Sequence, residues 1–163
     1  MYRVVDTNVL VIANGIHKAP QASLACVLAC VKYLNNLRKS DVLVVDSSWL
    51  ILKEYKRQVN EKGQPGVGDG FLKWVLSNQA NSKHYEEVAI KQIPEYEFEE
   101  FPKSESLKNF DMNDRKFVAV ALTHHAKPVI ANASDRGWRN HKQALTEHGI
   151  KLDFLCHEAN TKA

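Results

Sequence analysis

The chain has little of what marks several protein classes. Its 163 residues hold three cysteines, an odd number with no CxxC pair. Cys26 and Cys30 sit one helical turn apart among alanines, leucines and valines, which reads as small core residues. A reducing, cytoplasmic setting is the resulting expectation. No apolar run reaches the roughly 18 residues of a membrane span, so no membrane partner is expected. Asp6 and Asn8 interrupt the start, which therefore reads as neither a signal nor a transit peptide. There is no internal repeat and no low-complexity tract. The net charge is only +3, which is compatible with a nucleic-acid partner without demonstrating one. The glycine-rich stretch 63–70 (GQPGVGDG) lacks the Gly-Lys-Ser/Thr ending of a phosphate-binding loop, which excludes nucleotide binding through it. It reads as a mobile loop, either a plain connection or a flap over substrate.

What is present fits one globular domain, 1–157, followed by a short tail, 158–163. Charge is unevenly spread. Glu86, Glu87, Glu95, Glu97, Glu99, Glu100 and Glu105 make 86–105 acidic, whereas Arg115, Lys116, Arg136, Arg139 and Lys142 come later.

The opening stretch, YRVVDTNVL, organises the rest. Two β-branched residues run into Asp6, and apolar residues then resume at helical spacing (Val9, Ile12, Ala13). That predicts a buried strand, a sharp turn and a helix, with Asp6 at the strand's carboxyl end. Open parallel α/β sheets bind ligands just past such ends. Helix capping is the ordinary use of Asp, Thr and Asn in this position.

Further along, Pro20 to about Lys39 has helical periodicity, and DVLVVD (41–46) reads as a second buried strand. Ser47 or Ser48 is expected to cap a helix carrying Trp49, Leu52, Tyr55 and Val59. A short helix is predicted over 71–81. The alternation of Tyr96, Phe98 and Phe101 with acids in 84–107 suggests an extended edge segment or irregular coil. Asp111 then opens a helix to about His125. A strand over 128–131, a helix over 136–148 and a strand over 151–156 follow. Alternating strands and helices predict a three-layer α/β/α, Rossmann-like fold with a central parallel sheet.

Four carboxylates stand at suggestive places. Asp6 ends the first strand, and Asp135 follows the strand PVIA by a short loop, so both belong to one rim of the sheet. Asp114 precedes Phe117, Val118 and Ala121 at i+3, i+4 and i+7, which aims it along a buried face. The alternative is favourable placement in a first helical turn capped by Asp111. Glu54 borders the apolar face of its helix, or is an ordinary solvated Glu beside Lys53, Arg57 and Gln58. Carboxylates gathered on one rim raise one another's pKa values unless a cation neutralises them. All-oxygen ligands suit Mg²⁺ or Mn²⁺. One or two such ions activate water against phosphorus, which makes phosphodiester hydrolysis the natural reaction.

In this order and spacing the motifs resemble the PIN-domain nucleases. VVDTNVL is similar to their opening strand and first acid, and SSWLILKEY to the helix bearing the second, Glu54. FDMNDRKFVAVAL resembles the helix start with the third acid, Asp114, and NASDRGW the turn with the fourth, Asp135. The resemblance spans about 2–156. It implies a PIN fold, a Mg²⁺ or Mn²⁺ site on those four acids, and endonuclease activity, usually on RNA. It also implies that Thr7, Asn8 and Ser134 shape the site. Small stand-alone members resemble toxins held by an antitoxin, or defence effectors, so an inhibitory protein or a homodimer are partner expectations by analogy. The 63–70 loop and the acidic 86–105 segment depart from the minimal pattern.

Other polar residues carry two readings. Arg115, Lys116, Arg136, Arg139, His141 and Lys142 are either phosphate contacts or a solvated face. Trp138 is either a core residue or a base-stacking one. Asp46 is read as part of a cap. His124, His125, Cys156 and His157 match no zinc-ligand spacing. A PIN-like module that binds RNA or protein without cutting is the main rival. A haloacid-dehalogenase phosphatase needs an acid where Asn8 stands, and a receiver domain needs an acidic pair that is absent.

Overall fold

In the computed structural model the described residues are 1–94 and 97–157; Glu95, Tyr96 and the tail 158–163 lie outside them. The described residues form seven strands and seven α-helices. They are β1 (Tyr2–Val5), α1 (Thr7–Ala13), α2 (Leu24–Ser40), β2 (Val42–Asp46), α3 (Leu50–Gln58), α4 (Val67–Ser77) and β3 (Tyr85–Val88). Then come β4 (Gln92–Ile93), β5 (Glu97–Phe98), α5 (Arg115–Thr123), β6 (Val129–Asn132), α6 (Arg136–Asn140), α7 (Lys142–Glu147) and β7 (Leu152–Phe154).

Five strands form one parallel sheet in the order β3-β2-β1-β6-β7. From β1 the chain first builds β2 and β3 outward, then returns to place β6 and β7 on the other side. Right-handed crossovers running in opposite directions put their helices on opposite faces. Accordingly α1, α2 and α4 pack on one another, while α5 lies across β1, β2 and β6. The expected three-layer α/β architecture is therefore the observed one. The reversal between β1 and β6 opens a crevice at their carboxyl ends, where such sheets bind ligands. Asp6 N donates to the Ala131 carbonyl (2.9 Å), which fixes Asp6 at that point.

The strands are buried on both faces, so they read as continuous apolar runs: Val4, Val5, Leu43, Val44, Val45 and Ile130 are inaccessible to solvent. Among the described helices none is long and apolar enough to cross a membrane.

Several boundaries differ from the sequence expectations. The long helix begins at Leu24 rather than near Pro20, because Ser23 Oγ accepts from Cys26 N (3.0 Å) and caps it there. The helix after β2 is capped by Asp46, not by Ser47 or Ser48: its carboxylate accepts from Leu50 N (2.8 Å) and Ile51 N (2.9 Å). The helix expected over 136–148 is broken at His141 into α6 and α7. Within 84–107, Tyr85–Val88 is an edge strand of the main sheet, and β4 pairs antiparallel with β5 in a separate ribbon.

The 63–70 stretch is neither a loose connection nor a flap. Its second half is the first turn of α4, and Asp69 accepts from Asn60 N (2.7 Å), Gly66 N (2.8 Å) and Asn14 Nδ2 (3.0 Å). A Cβ on Gly68 would sit 2.0 Å from the Leu10 carbonyl oxygen, so glycine is what lets α4 close onto α1.

The reading of Cys26 as a free core thiol is corrected. Cys26 and Cys156 form a disulfide across 130 residues of chain, and buried Cys30 stays free. The expectation of a reducing compartment rested on free thiols and loses that support.

Candidate functional site

Each acid is delivered by a different element. Asp6 stands between β1 and α1 and is 4% exposed. It occupies the N-cap position of α1 but makes no side-chain capping bond. Its Oδ2 instead accepts from Trp138 Nε1 (3.1 Å). Glu54 projects from α3, Asp114 ends a 3-10 turn (Met112–Asp114) directly before α5, and Asp135 precedes α6. All four, with Thr7 and Asn8, line one cavity of about 260 Å³ at the β1/β6 crevice.

The electrostatics follow from that gathering. Asp6's carboxyl is held well above the usual carboxylate range, first by burial and then by Asp114, Glu54 and Asp135; the Trp138 bond works the other way. Asp114 is pushed up to about 7 by burial, Asp111 and Asp135, against the opposing pull of Lys116. Asp111 caps the 3-10 turn as expected, accepting from Asn113 N (2.9 Å).

Besides Asp6, two of the acids already have partners. Glu54 accepts from Lys116 Nζ at 2.6 Å and from the Thr7 hydroxyl. Asp135 is exposed, and one of its oxygens accepts from Gly137 N (2.7 Å) as a helix cap. No three of the acids bring ligand atoms within 4.8 Å of one another; among the described residues that spacing is met by Cys26, Cys30 and Cys156.

Thr7, Asn8 and Ser134 each make a polar contact close to the acids. Thr7 holds Glu54, and Asn8 Oδ1 accepts from Ala133 N (3.1 Å), tying α1 to the turn after β6. Buried Ser134 accepts from Arg139 Nε (2.8 Å).

The cations expected to meet phosphates are redistributed. Arg115 is buried: Nη1 donates to Glu97 (3.0 Å), Nε and Nη2 donate to the Phe110 carbonyl, and the guanidinium lies 4.6 Å over the Phe101 ring. It fastens β5 and the preceding loop to α5, so the phosphate reading is corrected for this residue. Lys116 is spent on Glu54 and the Asn113 carbonyl. Arg139 bridges Ser134 to the Cys156 carbonyl (2.8 Å) and lies over Phe154. Arg136 and Lys142 are exposed.

Three functional contacts had no signal in the sequence. Trp138 is fully buried in the core and also steadies Asp6, which combines apolar packing with a polar edge. Lys116 neutralises Glu54 from 62 positions away. Tyr55 OH donates to the Val5 carbonyl (2.5 Å) and locks α3 to the end of β1. The His124, His125, Cys156 and His157 set is dispersed: His124 meets Glu86 (2.9 Å) near the start of β1, while Cys156 is bonded to Cys26 beyond the end of β7. No family model, curated protein or solved structure matches the chain.

Proposed function

We propose that this chain is a divalent-metal-dependent nuclease that hydrolyses RNA phosphodiester bonds at a PIN-like site formed by Asp6, Glu54, Asp114 and Asp135. One observation carries the reading: four carboxylates from four separate elements line one cavity at the topological switch point of a parallel sheet. A buried acid such as Asp6, surrounded by three others, calls for a counter-charge. Oxygen-only donors match the chemistry of Mg²⁺ or Mn²⁺, and holding such an ion would require the acids to draw closer than the spacing they have here. When bound, it would supply Lewis acidity and a water of lowered pKa.

The chain's own groups orient the rest. Trp138 and Thr7 hold Asp6 and Glu54 in place, Asn8 fixes the turn that carries Asp135, and Arg136 stands beside that acid for a phosphate. RNA as the substrate is taken from the resemblance. Asp6→Asn and Asp114→Asn are expected to lower Mn²⁺-dependent cleavage of a single-stranded RNA by at least about a hundredfold, with chelator abolishing it. Cleavage that persists in chelator, or in Asp6→Asn, overturns the reading.

A second reading has its own support. Lys116 already balances Glu54, as a site that binds without cutting would permit. That reading prevails if no RNA is cleaved with Mg²⁺ or Mn²⁺ while binding persists.

A further inference from the structure

Helix α3 separates two cavities of opposite character. Glu54 and Gln58, one turn apart, face the acidic cavity; Lys53 and Arg57, also one turn apart, face a second one of about 200 Å³. The second cavity is closed on its far side by Gln92 and Phe98 of the β4–β5 ribbon and by Met112 and Asn113 before α5. Among the described residues its lining contains three cations, Lys53, Arg57 and Lys116, and no acid. Lys116 lies on the border, since it also bonds Glu54. Lys53 and Arg57 are exposed and have no hydrogen bond or ion pair among the described residues. Met112 leaves 46% of its surface exposed beside them, and Leu50 and Phe98 extend the apolar wall.

Unpaired cations beside an open apolar wall and two side-chain amides suit one particular ligand chemistry. It carries a phosphate for Lys53 and Arg57, a flat ring for Met112 and polar ring edges for Gln92 and Asn113. We propose that this cavity is a subsite for one unstacked nucleotide of a single-stranded RNA, the one next to the phosphate held in the acidic cavity. The β4–β5 ribbon, in the segment that departs from the minimal pattern, thereby becomes a substrate wall. Its size admits one nucleotide and not a duplex. The inference rests on the nuclease reading for the neighbouring phosphate, but not for binding itself.

The test is fluorescence anisotropy of a labelled single-stranded oligoribonucleotide on the full chain in chelator, where no metal-dependent cleavage occurs. Lys53→Glu/Arg57→Glu is compared with Lys39→Glu/Lys83→Glu, which changes net charge equally near the strand starts. The first pair is expected to weaken binding at least tenfold at 0.1 M salt and to lower the salt slope by about 0.7, the value for one lost single-strand phosphate contact. The second pair is expected to change affinity less than twofold. Met112→Ala is expected to weaken binding severalfold with the salt slope unchanged, and duplex RNA is expected not to compete.

Equal loss in the two pairs, no loss in the first, or competition by duplex or by polyglutamate would each overturn the proposal. A chain that cleaves normally but binds unchanged in Lys53→Glu/Arg57→Glu would sink this subsite and leave the nuclease reading standing. Specific binding without cleavage would do the reverse. Circular dichroism of each variant separates loss of binding from loss of fold.

Discussion

At the scale of single residues, the decisive quantity is the charge held around Asp6. Both Asp6 and Asp114 have folded-state pKa values above those of an unfolded chain, Asp114 at about 7. An acid shifted this way binds its proton more tightly when folded. Below the unfolded value both states are protonated and the group has no effect on stability. As pH rises toward 7 the unfolded chain ionises first, so folding loses stability through that window. The metal-free protein is therefore expected to melt higher at pH 5 than at pH 8, and Asp114→Asn to flatten that difference. On the proposed reading, Mn²⁺ added at pH 8 is expected to raise the melting temperature, since an ion held only by the folded state stabilises it. A melting temperature that climbs from pH 5 to pH 8 in chelator would contradict this account. Asp6→Asn can keep the bond from Trp138 while removing one charge, so it is expected to melt no lower than the parent chain.

At the scale of elements, the site depends on how α1, α3 and α4 are seated. Tyr55→Phe removes the bond to the Val5 carbonyl and leaves a buried acceptor unsatisfied. About 1–3 kcal/mol of stability is expected to go with it, measurable by denaturant unfolding. Gly68→Ala tests the α1–α4 approach. The added methyl meets backbone, the Leu10 carbonyl oxygen, which cannot swing aside as a long side chain would. A loss of about 1–3 kcal/mol is expected, and an unchanged denaturation midpoint would show that α4 is free to shift. Arg115 belongs to this scale as well. Flanking Asp114, it looks in sequence like a phosphate contact, yet it binds Glu97 and several carbonyls and so holds the ribbon that walls the cationic cavity.

At the scale of the molecule, the disulfide closes nearly the whole chain. Cys26 lies in α2 and Cys156 follows β7, so the bond joins the first third of the chain to its last strand. A link across 130 residues removes loop entropy from the unfolded chain worth about 5 kcal/mol in the chain-entropy account. Dithiothreitol is expected to lower the melting temperature of the parent chain by many degrees and to leave Cys26→Ala/Cys156→Ala unaffected. Equal melting with and without reductant in the parent chain would show that the bond contributes nothing. The bond also reaches the site, because Cys156 N donates to the Ala133 carbonyl and Arg139 joins the Cys156 carbonyl to Ser134, beside Asp135.

The amino-acid order by itself determined whatever short-range physics governs. Continuous β-branched runs specified β1, β2 and β6, and helical periodicity specified α2 and α5. Asp111 and Asp46 announced caps, and the position of Asp6 after β1 placed it at the rim. Within 84–107 the sequence left an extended edge segment and irregular coil both open, because Tyr85–Val88 (YEEV) has two adjacent glutamates and no clean alternation to mark it as the strand that pairs with β2. Tertiary structure alone decided the pairings between distant positions: Cys26 with Cys156, Lys116 with Glu54, Trp138 with Asp6, and Lys53 and Arg57 with Gln92 and Phe98 across one cavity. No local pattern encodes these, because they follow from the strand order. That order is set by how the helices pack on the two faces of the sheet, and it brings together residues whose separation along the chain carries no trace of the meeting.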